Sequence, residues 1–126
     1  MERKILFKAK RLDNGEWVEG DLYHNVRGFE CCIGQQEKKG VFVYPVDPST
    51  VCQFTGMRDC EGKEIWEGDI VRDNYDLLCV DNFYEVVYIE KEGAFAFKSL
   101  DKVDNYEPFV NLFEAYVVGN KFDKEK

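Results

Sequence analysis

The chain has 126 residues, of which 44% are hydrophobic and 33% charged, a size and composition typical of one folded domain rather than a disordered segment. It has 17 Lys and Arg against 25 Asp and Glu, a net charge of -8, whereas most nucleic-acid-binding proteins are basic. No apolar run approaches the roughly 20 residues of a membrane-spanning helix, and the N-terminus lacks the apolar stretch of a signal peptide. We therefore expect one domain over residues 1–126, in the cytoplasm, with no membrane partner.

Short apolar and aromatic segments, separated by turn residues, predict strands along almost the whole chain. One of the predicted strands, over residues 65–71, is interrupted by a polar bend at residues 67–69. The remaining predicted strands, in chain order, cover residues 4–10, 17–23, 28–33, 41–44, 51–54, 83–89, 94–98 and 116–119.

The connections between these strands indicate how they pair. Asn-Gly within residues 13–15 and Gly within residues 91–93 predict tight hairpin turns, while residues 34–40 predict a polar loop. Residues 108–115 predict at most one short helix, beginning at a proline, and the charged tail 121–126 is expected to fray. The pattern predicts an all-β fold, a small barrel or sandwich of short, strongly bent strands.

The cysteines favour free thiols over disulfides or a metal site. Their number is odd and two are adjacent, so a complete set of intramolecular disulfides cannot form. Zinc ligands usually come in pairs two to four residues apart, a spacing that these cysteines lack, and His24 is the single histidine. We expect no metal and no cofactor. The cysteines are Cys31, Cys32, Cys52, Cys60 and Cys79.

No catalytic constellation is recognised in the sequence. The two serines lack the G-x-S-x-G setting of a nucleophile elbow. The phosphate-binding motifs G-x-x-x-x-G-K-[ST] and G-x-G-x-x-G are both absent. A thiol or histidine-dependent hydrolase would need His24 beside one of the cysteines, and the sequence leaves this alternative open. We therefore assign no catalytic residues and expect the protein not to be an enzyme.

The charge is divided unevenly, because residues 1–11 carry a net charge of +4 and the other residues carry -12. Complementary charged regions favour self-association or the binding of a charged partner. Small β-barrels also bind single-stranded nucleic acids through aromatic and basic residues, which makes a nucleic-acid-associated protein the first alternative. The basic contact strip for such a role consists of Arg3, Lys4, Lys8, Lys10 and Arg11.

Residues 52–71 read CQFTGMRDCEGKEIWEGDIV. This segment resembles the central motif of the YopX-like proteins of phages and prophages, (G)QxTGLxDxxGKEIYEGDIV, and departs from it at Cys52, Met57 and Trp66. Residues 5–10, 20–23 and 116–123 also resemble the opening, second and closing segments of that family. The motif positions are Gln53, Thr55, Gly56, Asp59, Gly62, Lys63, Glu64, Ile65, Trp66, Glu67, Gly68, Asp69, Ile70 and Val71.

The resemblance implies a mainly β fold and supplies no catalytic residues that could be carried over to this chain. Within the motif, Asp59, Gly62 and Lys63 are expected to form a turn, and Gly68 to permit a bend. We predict a phage or prophage accessory protein that is a non-enzymatic binding or interaction module in the host cytosol. It is expected to form a homo-oligomer, with a host or phage protein as a further partner.

Overall fold

The computed structural model describes residues 5–73, 82–100, 106–108 and 115–123. Within them, every regular element except one 3-10 helix is a β-strand, and all strand pairs are antiparallel, so the predicted all-β fold is confirmed. The helix predicted over 108–115 falls mainly on residues outside this part of the chain. The elements are β1 (Phe7–Lys10), β2 (Trp17–Val26), β3 (Phe29–Glu37), β4 (Gly40–Pro45), the 3-10 helix (Pro48–Thr50), β5 (Cys52–Arg58), β6 (Glu64–Trp66), β7 (Asp69–Asp73), β8 (Asn82–Ile89), β9 (Ala94–Ser99), β10 (Tyr106–Pro108) and β11 (Ala115–Asn120).

The chain forms two compact units, residues 1–54 and residues 55–126. Strand β5 begins in the first unit and ends in the second. The single domain expected over residues 1–126 stays a prediction.

The first unit is an antiparallel sheet with the strand order β4-β3-β2-β1-β5. The hairpin predicted from Asn14-Gly15 is confirmed, with Phe7 opposite Gly20 and Lys10 opposite Trp17. One face of the sheet covers an apolar core, to which β1, β2 and β3 contribute buried side chains. The buried core residues are Ala9, Val18, Cys31, Ile33 and Val46.

One end of this sheet is closed by hydrogen bonds between the end of β1 and the end of β4. The Leu12 amide donates to the Pro45 carbonyl at 3.0 Å, and the Asp47 amide donates to the Lys10 carbonyl at 2.9 Å. The 3-10 helix follows, and the Thr50 hydroxyl accepts the Lys10 amide. These hydrogen bonds join the two outer parts of the sheet at this end, as in a partly closed barrel.

The prediction of a polar loop over residues 34–40 is wrong. Strand β3 continues to Glu37, and a two-residue turn leads into β4 at Gly40. Glutamines and a glutamate fit a strand here because their side chains lie at the edge of the core or in solvent. Gly34 also belongs to the strand, and this position favours glycine because a Cβ there would come within 2.6 Å of the Tyr23 ring.

In the second unit, β6 lies beside the second part of β5, and the other strands form a sheet ordered β10-β9-β8-β7-β11. The predicted hairpin through residues 91–93 is confirmed by the β8–β9 pairing. Strand β11 pairs with β7 and contains an irregularity between Val117 and Gly119. The buried core residues of this unit are Ile65, Val71, Tyr84, Val86, Phe97 and Ala115.

Candidate functional site

The Asp59 carboxylate organises the turn between β5 and β6. One oxygen accepts the amides of Glu61 and Lys63 at 2.9 and 2.8 Å. The other oxygen accepts the Val117 amide of β11 at 2.9 Å. The turn around Asp59 is closed by the Gly62 amide on the Asp59 carbonyl, so the turn expected from the sequence is present. Asp59 is therefore occupied in binding backbone amides of its own unit.

A second carboxylate, Asp69, holds the bend between β6 and β7. Asp69 is 2% exposed, and its two oxygens accept the Trp66 amide at 2.7 Å and the Asn120 side-chain amide at 3.0 Å. Gly68 adopts a φ of 87°, a conformation that favours glycine, and its amide donates to the Val86 carbonyl. The bend expected at Gly68 is present and is hydrogen-bonded to β8 and β11.

The remaining motif positions follow the same pattern. The Thr55 hydroxyl donates to the Ile65 carbonyl at 2.8 Å, joining β5 to β6. Thr55 and Gly56 both lie inside β5, where Gly56 has a φ of 85°. By element, Gln53, Thr55 and Gly56 lie in β5, Gly62 and Lys63 in the turn, Glu64, Ile65 and Trp66 in β6, Glu67 and Gly68 in the bend, and Asp69, Ile70 and Val71 in β7.

The basic contact strip is described only in part, since Arg3 and Lys4 lie outside the described residues. The ammonium groups of Lys8 and Lys10 lie 4.6 and 5.3 Å from the centre of the Trp17 ring. Two strip residues and an aromatic side chain thus form one cationic and aromatic surface on β1 and β2.

Arg11, the last residue of the strip, is bound within its own unit. Its guanidinium is 2.6 Å from the Asp13 carboxylate and lies over the Tyr44 ring at 4.4 Å. The hydrogen bond between Arg11 and Asp13 raises the pKa of Arg11 and lowers the pKa of Asp13. A shallow depression of about 500 Å³ adjoins this pair, lined by Arg11, Glu16, Trp17, Val18, Gln35 and Tyr44.

The structure brings His24 next to one cysteine. His24 lies in β2, and its Nδ1 is 3.7 Å from the Cys31 sulfur. Burial, with smaller effects of Glu30 and Cys32, raises the pKa of the Cys31 thiol. A nucleophilic cysteine needs a lowered pKa, so this environment favours the unreactive thiol.

The other described cysteines differ in exposure. Cys32 and Cys52 are buried, Cys60 is exposed, and Cys79 lies outside the described residues. In the part of the chain that the structure describes, no three metal-ligating side chains are grouped together.

Sequence reasoning missed a run of three consecutive exposed apolar residues in the first unit, which lies on β4. Val41 and Phe42 are each 50% exposed and Val43 is 39% exposed. Strand β4 ends the strand order of its sheet, so among the described residues one of its edges is open before Pro45, while at Pro45 the same edge accepts the Leu12 amide. The available signal was the run of apolar residues, which does not alternate with polar ones as expected for a half-buried strand.

These features define an all-β protein of antiparallel sheets in which carboxylates hold the turns. The family model described as YopX protein matches residues 6–125, so the chain belongs to the YopX family. This confirms the resemblance seen in residues 52–71.

The structure is also similar to the crystal structure of protein EF1440 from Enterococcus faecalis. The TM-score is 0.52, the sequence identity is 19%, and the alignment covers 94% of each chain. At this identity the likeness concerns the fold alone. A comparison with curated proteins found no match. No helix within the described residues has the length and apolar character needed to cross a membrane.

Proposed function

We propose that this protein is a non-enzymatic interaction module that self-associates, an accessory protein of a phage or prophage that acts in the host cytoplasm. The observation that supports it best is the open edge of β4, with Val41, Phe42 and Val43 exposed beside it. Free strand edges with apolar side chains pair readily with other chains, and natural proteins usually cover or charge them. A host or phage protein that adds a strand to this edge would be a second kind of partner.

The carboxylates and thiols support a non-enzymatic role. Asp59 and Asp69 use their oxygens to accept amide hydrogen bonds within the second unit. The thiol nearest to a histidine, Cys31, is buried and has a raised pKa. These groups stabilise turns and core in their present positions.

Self-association is tested by analytical ultracentrifugation of the purified protein across a concentration series. We expect a monomer at low micromolar concentration and a dimer that increases at tens of micromolar and above, because edge pairing buries little area. A sedimentation coefficient that stays at the monomer value throughout the series would contradict the proposal.

A nucleic-acid-associated role is the second candidate, favoured by the position of Lys8 and Lys10 over Trp17. A single-stranded oligonucleotide that stacks on Trp17 would quench its fluorescence, and the binding would weaken steeply with salt. The matched control is the double variant Lys8→Gln, Lys10→Gln, which removes both positive charges beside Trp17. Fluorescence unchanged by oligonucleotide at low salt would reject this candidate.

A thiol or histidine-dependent hydrolase is the third candidate, based on the 3.7 Å separation of His24 and Cys31. Any hydrolysis of an activated ester by the protein should then be lost in both His24→Ala and Cys31→Ala. Activity that survives either change would exclude this pair as its source.

A further inference from the structure

We propose that two copies of this chain associate by antiparallel pairing of their β4 strands, with Phe42 of one copy opposite Phe42 of the other. The inference rests on the proposed self-association and assigns it a surface, an orientation and a register. Such a contact is two-fold symmetric, so the same patch of each copy is used and the assembly closes at the dimer.

Hydrogen bonds show which backbone groups of β4 face the open edge. The Val46 amide donates to the Cys31 carbonyl of β3, whereas the Pro45 carbonyl accepts the Leu12 amide on the other side. In an antiparallel pair, successive residues direct their N–H and C=O groups to alternate sides. Counting back from Pro45, the N–H and C=O groups of Val43 and Val41 face the open edge.

Proline determines where pairing must stop. Pro45 has no N–H, and its carbonyl already accepts the Leu12 amide, so it cannot extend a ladder along the open edge. A register with Val43 opposite its own symmetry mate would place Pro45 opposite Val41 and lose that pair. A register with Val41 opposite its own mate would leave Val43 facing the turn. Pairing Val41 with Val43 of the second copy uses all the available edge groups.

This register also brings the exposed apolar side chains together. Phe42 lies on one face of the new sheet beside its symmetry mate, at the closer, non-hydrogen-bonded spacing. Val41 and Val43 lie on the other face. There the Tyr23 ring and a Val41 methyl group already meet above Gly34, since a Cβ at Gly34 would lie 2.6 and 3.2 Å from them. The pairing therefore extends the apolar surface that Tyr23 and Val41 form in each copy.

Charge distinguishes antiparallel from parallel pairing. The turn before β4 carries Lys38 and Lys39, and Asp47 follows its other end. Parallel pairing would place the two lysine turns side by side, which is unfavourable. Antiparallel pairing instead brings each lysine turn to the Pro45 end of the other copy's β4, beyond which Asp47 follows. A second copy in antiparallel orientation is thus the occupant that fits both ends of the edge.

Single cysteines test the register. In a background with Cys60→Ser and Cys79→Ser, we would compare Phe42→Cys, Val41→Cys and Val43→Cys under mild oxidation with oxidised glutathione. Facing residues in a non-hydrogen-bonded antiparallel pair have Cα atoms about 4.5 Å apart, within the range that a disulfide spans. We expect Phe42→Cys to give about tenfold more disulfide-linked dimer than either valine variant alone, because only its symmetry mate is within reach.

The valine variants give the control and the opposing outcomes. Mixed in equal amounts, Val41→Cys and Val43→Cys should form the linked heterodimer, while each alone should not. Self-linking of Val43→Cys, or of Val41→Cys, above that of Phe42→Cys would overturn the register. If the parent protein dimerises in ultracentrifugation and none of these links forms, another surface mediates dimerisation and only this inference fails. If the parent protein is monomeric, the proposed self-association fails with it.

Discussion

Replacing Asp59 should destabilise the second unit by an amount that its contacts define. The carboxylate accepts three backbone amides, those of Glu61, Lys63 and Val117, at 2.8 to 2.9 Å. A hydrogen bond to a charged group is worth about 1.5–3 kcal/mol, with the lower end appropriate to a half-exposed site. Since such bonds are not additive, Asp59→Ala should lower the free energy of unfolding by about 3 kcal/mol.

Asp59→Asn is the more selective change. If its oxygen keeps the amides of Glu61 and Lys63, its NH2 group faces the Val117 amide, so that two donors meet and one hydrogen bond is lost. We expect a loss of about 1.5 kcal/mol, intermediate between the parent and the alanine variant. The order of the three proteins therefore reports the link from the turn to β11.

Urea unfolding can follow the two units separately, because each contains one tryptophan. Trp66 is 4% exposed in the second unit, whereas Trp17 belongs to the first. In a Trp17→Phe background, the fluorescence of Trp66 reports the unit that Asp59 holds. Glu61→Gln is the matched control, since its exposed side chain changes charge on the same turn. An Asp59→Ala variant that stays within about 0.5 kcal/mol of this control would refute the reasoning.

Three further predictions concern the first unit. Cys31 should react with iodoacetamide much more slowly in the native protein than in urea, as measured by peptide mass spectrometry, because burial raises its pKa; equal rates would contradict this. Gly20→Ala should destabilise the unit by about 1–3 kcal/mol in thermal unfolding, since its Cβ would collide with the Gly34 carbonyl; an unchanged melting temperature would contradict it. The hydrogen bond from Arg11 lowers the pKa of Asp13. The contribution of this pair to stability is therefore complete above the ordinary aspartate pKa and is lost as the pH falls through the lowered pKa. In an NMR titration, Arg11→Gln should raise the pKa of Asp13, and an unchanged pKa would contradict the assignment.

Local signals in the sequence predicted the hairpins. The Asn14-Gly15 turn and the turn ending in Gly93 require positive φ, and both glycines adopt it, at 72° and 63°. The flanking segments contain alternating or β-branched residues, so pattern and turn agree. Such agreement requires only neighbouring residues, which is why β1–β2 and β8–β9 were correctly paired.

The motif could be located in the sequence, but its contacts could not. Asp59 binds the Val117 amide 58 residues away, and Asp69 binds the Asn120 side chain 51 residues away. Both contacts depend on the placement of β11 beside β7, which no local pattern determines. The sequence indicated a turn and a bend, and only the fold shows that their carboxylates join distant strands.

The open edge was missed for a related reason. Residues 34–40 predict a loop because they are polar and framed by glycines, yet Gln35 and Gln36 extend β3 along a partly exposed surface. Which strand lies at the end of a sheet is set by the order of pairing, a property of the whole unit. The exposure of Val41 therefore becomes visible only once that order is known.

Amide hydrogen exchange of the parent protein at two concentrations tests the central claim most directly. At high concentration the Val41 and Val43 amides should exchange markedly more slowly, because they gain hydrogen bonds to the second copy. The Phe42 and Tyr44 amides, which face β3 in either state, should change little. Exchange rates of Val41 and Val43 that are independent of concentration, in a protein that is dimeric at the higher one, would contradict pairing through β4.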